Sequence, residues 1–568
     1  MGSTFSGLEI GKKALWAQKK SLEVTSHNIS NANTEGYSRQ EAIHTSTRPL
    51  SVSGAGQMGT GVEVSEVRRV RSDFVDEQVR KENRTKGYWE IKEDSLKEIE
   101  LIFNEPSDQG IQQTMSDFWN SMQDLNNKPE SKAVRATVRQ RALAVTDTFN
   151  HIDTQLNDYK LSVNSRIKTT VQDINSHANR IADLNQQIVR VEGDNQDAND
   201  LRDKRTQLVN ELSELTNVQI KENDVGSLRI SISGRGLVQG DNVTELDVQP
   251  DSNNNDLYKV QWADGNDITL KDGTLKGLIE VRDEDIDKYR SQLDEMANNL
   301  ISEMNKQHRS GYGLNTVNHV ETNTDINDSS ADLGYTGQFD VYVDGNNEGT
   351  INVTSGVNGE DGLDDIRDQI NNLANVSATI NADNKLEIEG TGSKISLENT
   401  SADGEDNILQ ELKIGAGQDF FVGDDAGSID LVDKLKTDDG IQDIAAASKM
   451  LDMNDDGVND YAGDGSNALA MAELQNEDTM NSDTATFGDY YQSNIAQLGV
   501  ESQRAQRMVD NQDTLLSSLQ QKQETISGVS LDEEMSNMIK YQQSYNAAAK
   551  IVSTMDEILN TVVNGLKR

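Results

Sequence analysis

Asp452, Asn454, Asp456 and Asp460 set side-chain oxygens at positions one, three, five and nine of a twelve-residue run, with Gly457 at position six. That is the spacing of a calcium loop, in which hard oxygen donors surround a hard cation. Position twelve is Gly463, where a bidentate Glu is needed, and Asp464 falls one residue too far. Paired helices of the kind that flank such loops are not evident. The expectation is a solvated acidic turn, with calcium as the one candidate cofactor and no other group implied.

Other chemistry finds less support. The chain has no cysteine, which removes thiolate nucleophiles, disulfides and Cys-based metal sites. The six histidines, at positions 27, 44, 151, 177, 308 and 319, are scattered. There is no H-E-x-x-H, no G-x-x-x-x-G-K-[ST] and no G-x-S-x-G. Carboxylate pairs are so numerous in this composition that none singles out an acid/base couple. An enzyme is not expected.

The charge balance excludes further classes. Net charge is −44, and residues 321–480 alone hold about 36 Asp and Glu against about 7 Lys and Arg by count. Nucleic acid and anionic membrane are both disfavoured, because each is bound through clustered cations. No apolar run approaches the ~20 residues of a membrane span. The N-terminus lacks a charged region followed by an apolar one, so no cleavable signal is expected.

The elements that remain are mostly helical. Leu8, Leu15, Leu22 and Ile29 recur every seven residues, the spacing of one packed helix face. The stripe stops at a turn built from Asn28, Asn31, Asn33, Gly36 and Tyr37. The far end mirrors it, with Leu531, Met538, Tyr545, Val552, Leu559 and Leu566 in another seven-residue series, widened by Met535. Ser530 and Glu533 form a capping box at its start. Unpaired, such seams have no core to enter, so the two tails are expected to be poorly ordered in a free monomer and to fold on assembly.

Between the tails, residues 65–217 read as long helices. From Val145 to Ile188 apolar residues alternate in steps of three and four, a rod of about 65 Å at 1.5 Å per residue. Period-two alternation marks β-rich pieces at Leu228, Ile230 and Ile232, at Tyr258, Val260 and Trp262, and again within 334–415. The predicted fold class is multidomain α+β: an elongated helical bundle or coiled coil from both termini, with inserted β-rich domains. The boundaries read as 1–60 with 500–568 (terminal helical core), 61–217 with 282–319 and 431–499 (long helices), 218–281 (β-rich), and 320–430 (an inserted β-β-α-β-β outer module).

The run from Leu22 to Gln40, with Asn28-Ile29, Asn31 to Thr34, Gly36-Tyr37 and Ser38-Arg39-Gln40, resembles the N-terminal signature of the flagellar rod, hook and hook-associated proteins. Its Ser38-Arg39-Gln40 ending is most similar to the hook-associated members. Gly528 to Met535, Tyr541, Tyr545, Ala547 to Ala549 and Met555 resemble the C-terminus of that group. The stretches Gln57 to Val62, Gly87-Tyr88-Trp89, Asn305 to His308 and Gly463 to Leu469 are similar too. Glu35 departs from the pattern, where the family often has Pro.

The resemblance implies a structural subunit of the flagellum at the hook–filament junction. It implies export in an unfolded state by the flagellar type III system to an extracellular position, and polymerisation through the terminal helices. The implied partners are identical subunits in a ring, the hook protein, a second hook-associated protein, and a cytosolic chaperone on the C-terminal helix. Two other readings stay open: a hook or rod axial protein, and a calcium-dependent surface adhesin with residues 320–480 as its head.

Overall fold

The structure is a computed structural model. It describes residues 6–52, 56–107, 110–194, 196–315, 317–322, 328–355, 362–382, 384–391, 394–402, 406–412, 414, 418–450 and 458–565. Two compact units are present. One gathers Met1–Ser95, Leu161–Asp283 and Ser502–Arg568; the other gathers Leu96–Lys160 and Glu284–Glu501.

The chain starts with α1 (Ser6–Ser30), then β1 (Gln40–Ser46), β2 (Leu50–Val52), β3 (Gly56–Met58), β4 (Val62–Arg69) and α2 (Asp73–Phe103). Next come α3 (Ile111–Asn127), α4 (Lys132–Gly193) and α5 (Asn199–Leu215). Strands β5 (Val218–Glu222), β6 (Leu228–Ile232), β7 (Arg235–Gln239), β8 (Asn242–Val243), β9 (Leu246–Asp251) and β10 (Leu257–Trp262) precede α6 (Thr274–Glu280) and α7 (Ile286–Arg309). An inserted module holds β11 (His319–Glu321), β12 (Gly337–Val343), β13 (Asn346–Val353), α8 (Leu363–Asn371), β14 (Val376–Ile380), β15 (Leu386–Gly390) and β16 (Ile395–Asn399). The last elements are α9 (Ile408–Glu411), β17 (Phe421–Val422), β18 (Asp430–Leu431), α10 (Ser466–Glu473), α11 (Phe487–Ser527) and α12 (Leu531–Gly565).

Helix α4 follows directly from its sequence. It contains no proline, starts just past Pro129, and runs for 62 residues. Phe149, Ile152, Leu156, Val163, Ile167, Val171, Ile174, Ile181 and Ile188 are all buried along one stripe.

In the first unit, β5-β6-β7-β8 form an antiparallel sheet beside the β9–β10 hairpin. Asn185 of α4 ties the sheet down: its Oδ1 accepts the Leu228 N–H at 3.0 Å, and its Nδ2 donates to Leu228 O and Gly240 O. Gly265 and Gly273 have φ of +84° and +94°, the left-handed values that turns at Asp-Gly pairs require.

In the second unit, two three-stranded sheets, β11-β15-β14 and β13-β12-β16, share a core with α8. Phe339, Val341, Ile351, Leu363, Ile366, Ile370, Leu386 and Ile388 fill it. Tyr312 connects the module to the end of α7. Its hydroxyl donates to Leu397 O at 2.7 Å and accepts the Leu397 N–H at 2.6 Å.

His308, on the last turn of α7, is fully buried. Its Nε2 accepts the Ala445 N–H at 2.9 Å, so Nδ1 carries the proton and donates to Gln418 O at 2.6 Å. Burial, with Arg135 and Arg309 nearby, lowers its pKa to about 4, against the opposing pull of Gln418 and Asp443. The unfolded chain titrates near 6.5, so between pH 6.5 and 4 it binds a proton that the folded chain refuses. Stability contributed by the neutral ring is full above pH 6.5 and is lost as pH falls to 4, by about 3 kcal/mol in total. Urea unfolding at pH 7 and pH 4.5 is expected to show this loss, and His308→Gln is expected to remove it.

The structure departs from the sequence reading at several elements. The β1–β4 ribbon was not anticipated, and β4 extends to Arg69, inside the span read as helix from residue 65. Its alternation is short, and a register shift between Ile43 and His44 interrupts it. The inserted module has two strands more than the β-β-α-β-β pattern, β11 and β16. β11 is three residues long, below the length at which alternation is readable.

Candidate assembly site at the paired terminal helices

Helix α1 packs antiparallel against α12 within the first unit. The contact is built on small residues of α1. A Cβ placed at Gly11 would sit 2.8 Å from Val552 Cγ2, and one at Gly7 would sit 2.7 Å from Met555 Cε. Gly11, Ala17, Ser21, Val24, Thr25 and Asn28 are the buried positions of α1. Leu8, Leu15, Leu22 and Ile29 flank this seam as half-buried residues. Close approach of two backbones selects glycine and alanine for the contact line and leaves the leucines at its margins.

On α12, Met538, Val552, Met555 and Leu559 are half-buried, and Ala548 is buried. Leu531, Met535, Ile539, Tyr545, Ile551, Ile558, Val562 and Val563 are exposed. Leu566 lies outside the described residues. The helix start matches its capping residues: Ser530 O accepts the Glu534 N–H at 2.9 Å, and the Glu533 N–H lies 3.5 Å from Ser530 Oγ.

The turn after α1 is closed by Asn28. Its Oδ1 accepts the Gln40 N–H at 3.0 Å and the Tyr37 hydroxyl at 2.7 Å, while its Nδ2 donates to Gln40 O at 2.9 Å. One side chain thus stands in for a strand partner at the entry to β1. Asn31 Nδ2 donates to His27 O, Thr34 donates to Asn31 Oδ1, and Gly36 takes φ +76°. Asn33 is exposed. Burial raises the Tyr37 pKa, and Asp200, Asp203 and Glu534 push it further in the same direction.

Ser38 then meets Asp203 of α5. Its N–H and its hydroxyl both donate to that carboxylate, at 2.9 and 2.7 Å. Arg69 Nη1 donates to the same carboxylate at 2.8 Å. Arg71 grips Asp76 through two nitrogens, each at 2.8 Å, and donates to Ser38 Oγ at 3.0 Å. Gln523 of α11 donates to Asp76 at 2.7 Å, and the Arg39 N–H donates to Ser527 O at 2.8 Å. Gln40 reaches Asp200, and Asn199 reaches Val67 O. Burial lowers the Arg69 pKa, and the Asp203 carboxylate opposes that shift.

The 28–40 signature is therefore a fastening between α1, the β1–β4 ribbon, α5 and α11. Sequence reasoning found its near half and missed Arg69, Arg71, Asp76, Asp203 and Gln523. These are single charged or polar residues in helices, a strand and the β4–α2 link, with no local spacing to mark them.

No cluster of three or more metal-ligating side chains occurs among the described residues. Asp452, Asn454 and Asp456 lie outside them, and Asp460 is exposed in a turn. Among the described residues no helix is long and apolar enough to cross a membrane.

Comparison with known proteins supports what this geometry suggests. Residues 8–37 match the family model described as flagella basal body rod protein, and residues 520–566 match that of the C-terminal region of the flagellar basal body rod proteins FlgEFG. Residues 96–326 match the helical domain of flagellar hook-associated protein FlgK. The flagellar hook-associated protein 1 of Bacillus subtilis is 29% identical over 100% of this chain and 99% of its own length. Those of Salmonella typhimurium and Escherichia coli are 29% and 28% identical over 96% of this chain and 97% of theirs. The structure of the flagellar hook junction protein FlgK from Burkholderia pseudomallei superposes with a TM-score of 0.52 at 16% identity, covering 79% of this chain and 100% of that one, and shares the fold.

Matched rod-type segments at both ends, folded together as one helical pair, define a structural component of the bacterial flagellum. Within that class, the chain is similar over its full length to flagellar hook-associated protein 1, and its residues 96–326 match the helical domain of FlgK.

Proposed function

We propose that this flagellar structural protein sits at the hook–filament junction and polymerises there through α1 and α12. The observation that carries the reading is the surface of α12. Seven large aliphatic side chains, Leu531, Met535, Ile539, Ile551, Ile558, Val562 and Val563, stand exposed on one helix. Monomeric proteins seldom leave so many large apolar side chains of one helix in water, and each residue buried in a lattice contributes about 1.5–3 kcal/mol. The identical subunit is the first partner, with the hook protein and a second hook-associated protein at the two faces of the junction.

Export unfolded through the flagellar type III route fits a chain with no cysteine to cross-link. A cytosolic chaperone on α12 would cover the same aliphatic side chains until secretion. The protein acts without catalysis and without a cofactor. Calorimetric titration with millimolar calcium is expected to give no heat.

Truncation tests the central reading. Chains lacking residues 531–568, or lacking residues 1–30, are expected to lose incorporation into polymer completely. The second unit should keep its helical circular dichroism and its unfolding midpoint. Full incorporation of both truncated chains would refute the assignment.

A further inference from the structure

A strand at the edge of a sheet turns the N–H and C=O of every second residue outward, where another chain can pair with them. The two sheets of the inserted module have edges at β11 and β14 and at β13 and β16. The β9–β10 hairpin has an edge on each side.

Helix α8 packs beside both β13 and β14 and closes each of them with one carboxamide. Gln369 Oε1 accepts the Asn352 N–H at 2.9 Å, and its Nε2 donates to Asn352 O at 2.8 Å. Asn371 Oδ1 accepts the Ala378 N–H and its Nδ2 donates to Ala378 O, both at 2.8 Å. A carboxamide carries a donor and an acceptor side by side, the pair that an added strand would present. At β16 the Tyr312 hydroxyl holds both backbone groups of Leu397. The fourth edge, β11, is three residues long.

The hairpin is closed in the same way. Asn175 of α4 accepts the Leu246 N–H on β9 at 2.9 Å and donates to Leu246 O at 2.8 Å. On β10 the Tyr258 N–H donates to Asn164 at 2.9 Å, and Tyr258 O accepts from Arg282, between α6 and α7, at 2.6 Å. Tyr258 stands opposite Pro250. Because Tyr258 turns its groups away from β9, Pro250 also faces the free side. Its missing N–H there breaks no ladder bond and denies one to an incoming strand.

We propose that these side chains shut the sheet edges against strand addition by a second copy of this chain. A subunit that polymerises holds its β modules near those of its neighbours. Strand addition draws its affinity from main-chain bonds, so any open edge nearby would compete with the intended contact. Closure removes that competitor, whichever helix face forms the polymer.

Asn371→Leu and Gln369→Leu, made singly in the full chain, test this. Asn371 is exposed and Gln369 half-buried, so neither replacement opens the core of the module. At a concentration where the parent does not polymerise, each variant is expected to give at least tenfold more sedimenting material. The infrared amide band should show added intermolecular strand pairing, and circular dichroism of dilute samples should match the parent. Ala378→Pro, added to Asn371→Leu, removes the outward N–H that an incoming strand needs, and is expected to return sedimentation to the parent's level. Association caused by a loosened fold would grow with the added proline instead. The inference is overturned if the folded variants sediment as the parent does, if they associate without the strand signal, or if Ala378→Pro fails to reverse the association.

Discussion

Replacing Asp203 by Ala is expected to lower the stability of the first unit by about 3–5 kcal/mol, the range for removing one partner from a buried charge network. Asp203 is 6% exposed, and it accepts from the Ser38 N–H, the Ser38 hydroxyl and Arg69. Removing it strands the Arg69 guanidinium and leaves two Ser38 donors unpaired. Water cannot fully replace these partners, because the Arg69 side chain is itself only 16% exposed. Asp203→Asn keeps the shape and one acceptor oxygen but no charge, and should fall between parent and Ala. Urea unfolding measures the size of the effect. Hydrogen exchange at Ser38, Arg39 and Gln40 measures where it acts. A change below about 1 kcal/mol for Asp203→Ala would show that the fastening is not a stabilising element.

The second large effect is expected at Arg135 in α4, 1% exposed and without a carboxylate in contact among the described residues. Its Nε donates to Pro129 O at 2.6 Å and its Nη1 to Ile444 O at 2.6 Å, with Ile441 O and Gln442 O at 3.3 Å. It ties the turn before α4 to the segment after β18. Burial lowers its pKa to about 10, with Asp443 and Glu130 opposing, so it stays charged at neutral pH. Arg135→Met leaves the Pro129 carbonyl buried and unpaired, at about 1–3 kcal/mol besides the lost bonds, and leaves Ile444 O with the Ala446 N–H alone. The midpoint of the second unit is expected to fall by about 10 °C in a thermal melt. Arg135→Lys should recover only part of this, since an ammonium cannot reproduce the guanidinium fork. Equal midpoints for Arg135→Met and the parent would count against the role assigned here.

Much of the fold could be read from local pattern. The stripe Phe149 to Ile188 became α4, and the turns at Asp264-Gly265 and Asp272-Gly273 took their positive φ at glycine. Alternation at Phe339, Val341 and Val343 became β12, with all three residues buried. These signals work because they are repeated over enough residues to outweigh composition. The β1–β4 ribbon and strands β11 and β16 lacked that repetition.

At the terminal site, position and partner divided differently. The heptads at both ends were legible, yet Leu8, Leu15, Leu22 and Ile29 border the α1–α12 contact, and Gly7 and Gly11 sit at its closest approach. A hydrophobic period locates a face of a helix. It does not say how near the neighbouring backbone comes, and that distance decides whether leucine or glycine occupies the contact line.

By its sequence alone, this protein was bound to form long helices, to end in two amphipathic ones, and to interpose β-rich modules, because these follow from periodicities that each segment carries within itself. Only the tertiary structure decided that Asp203 serves Ser38 and that Arg135 serves Ile444. Those pairings join residues that are more than a hundred positions distant in sequence, and no local spacing encodes a contact that exists only after the chain has come together.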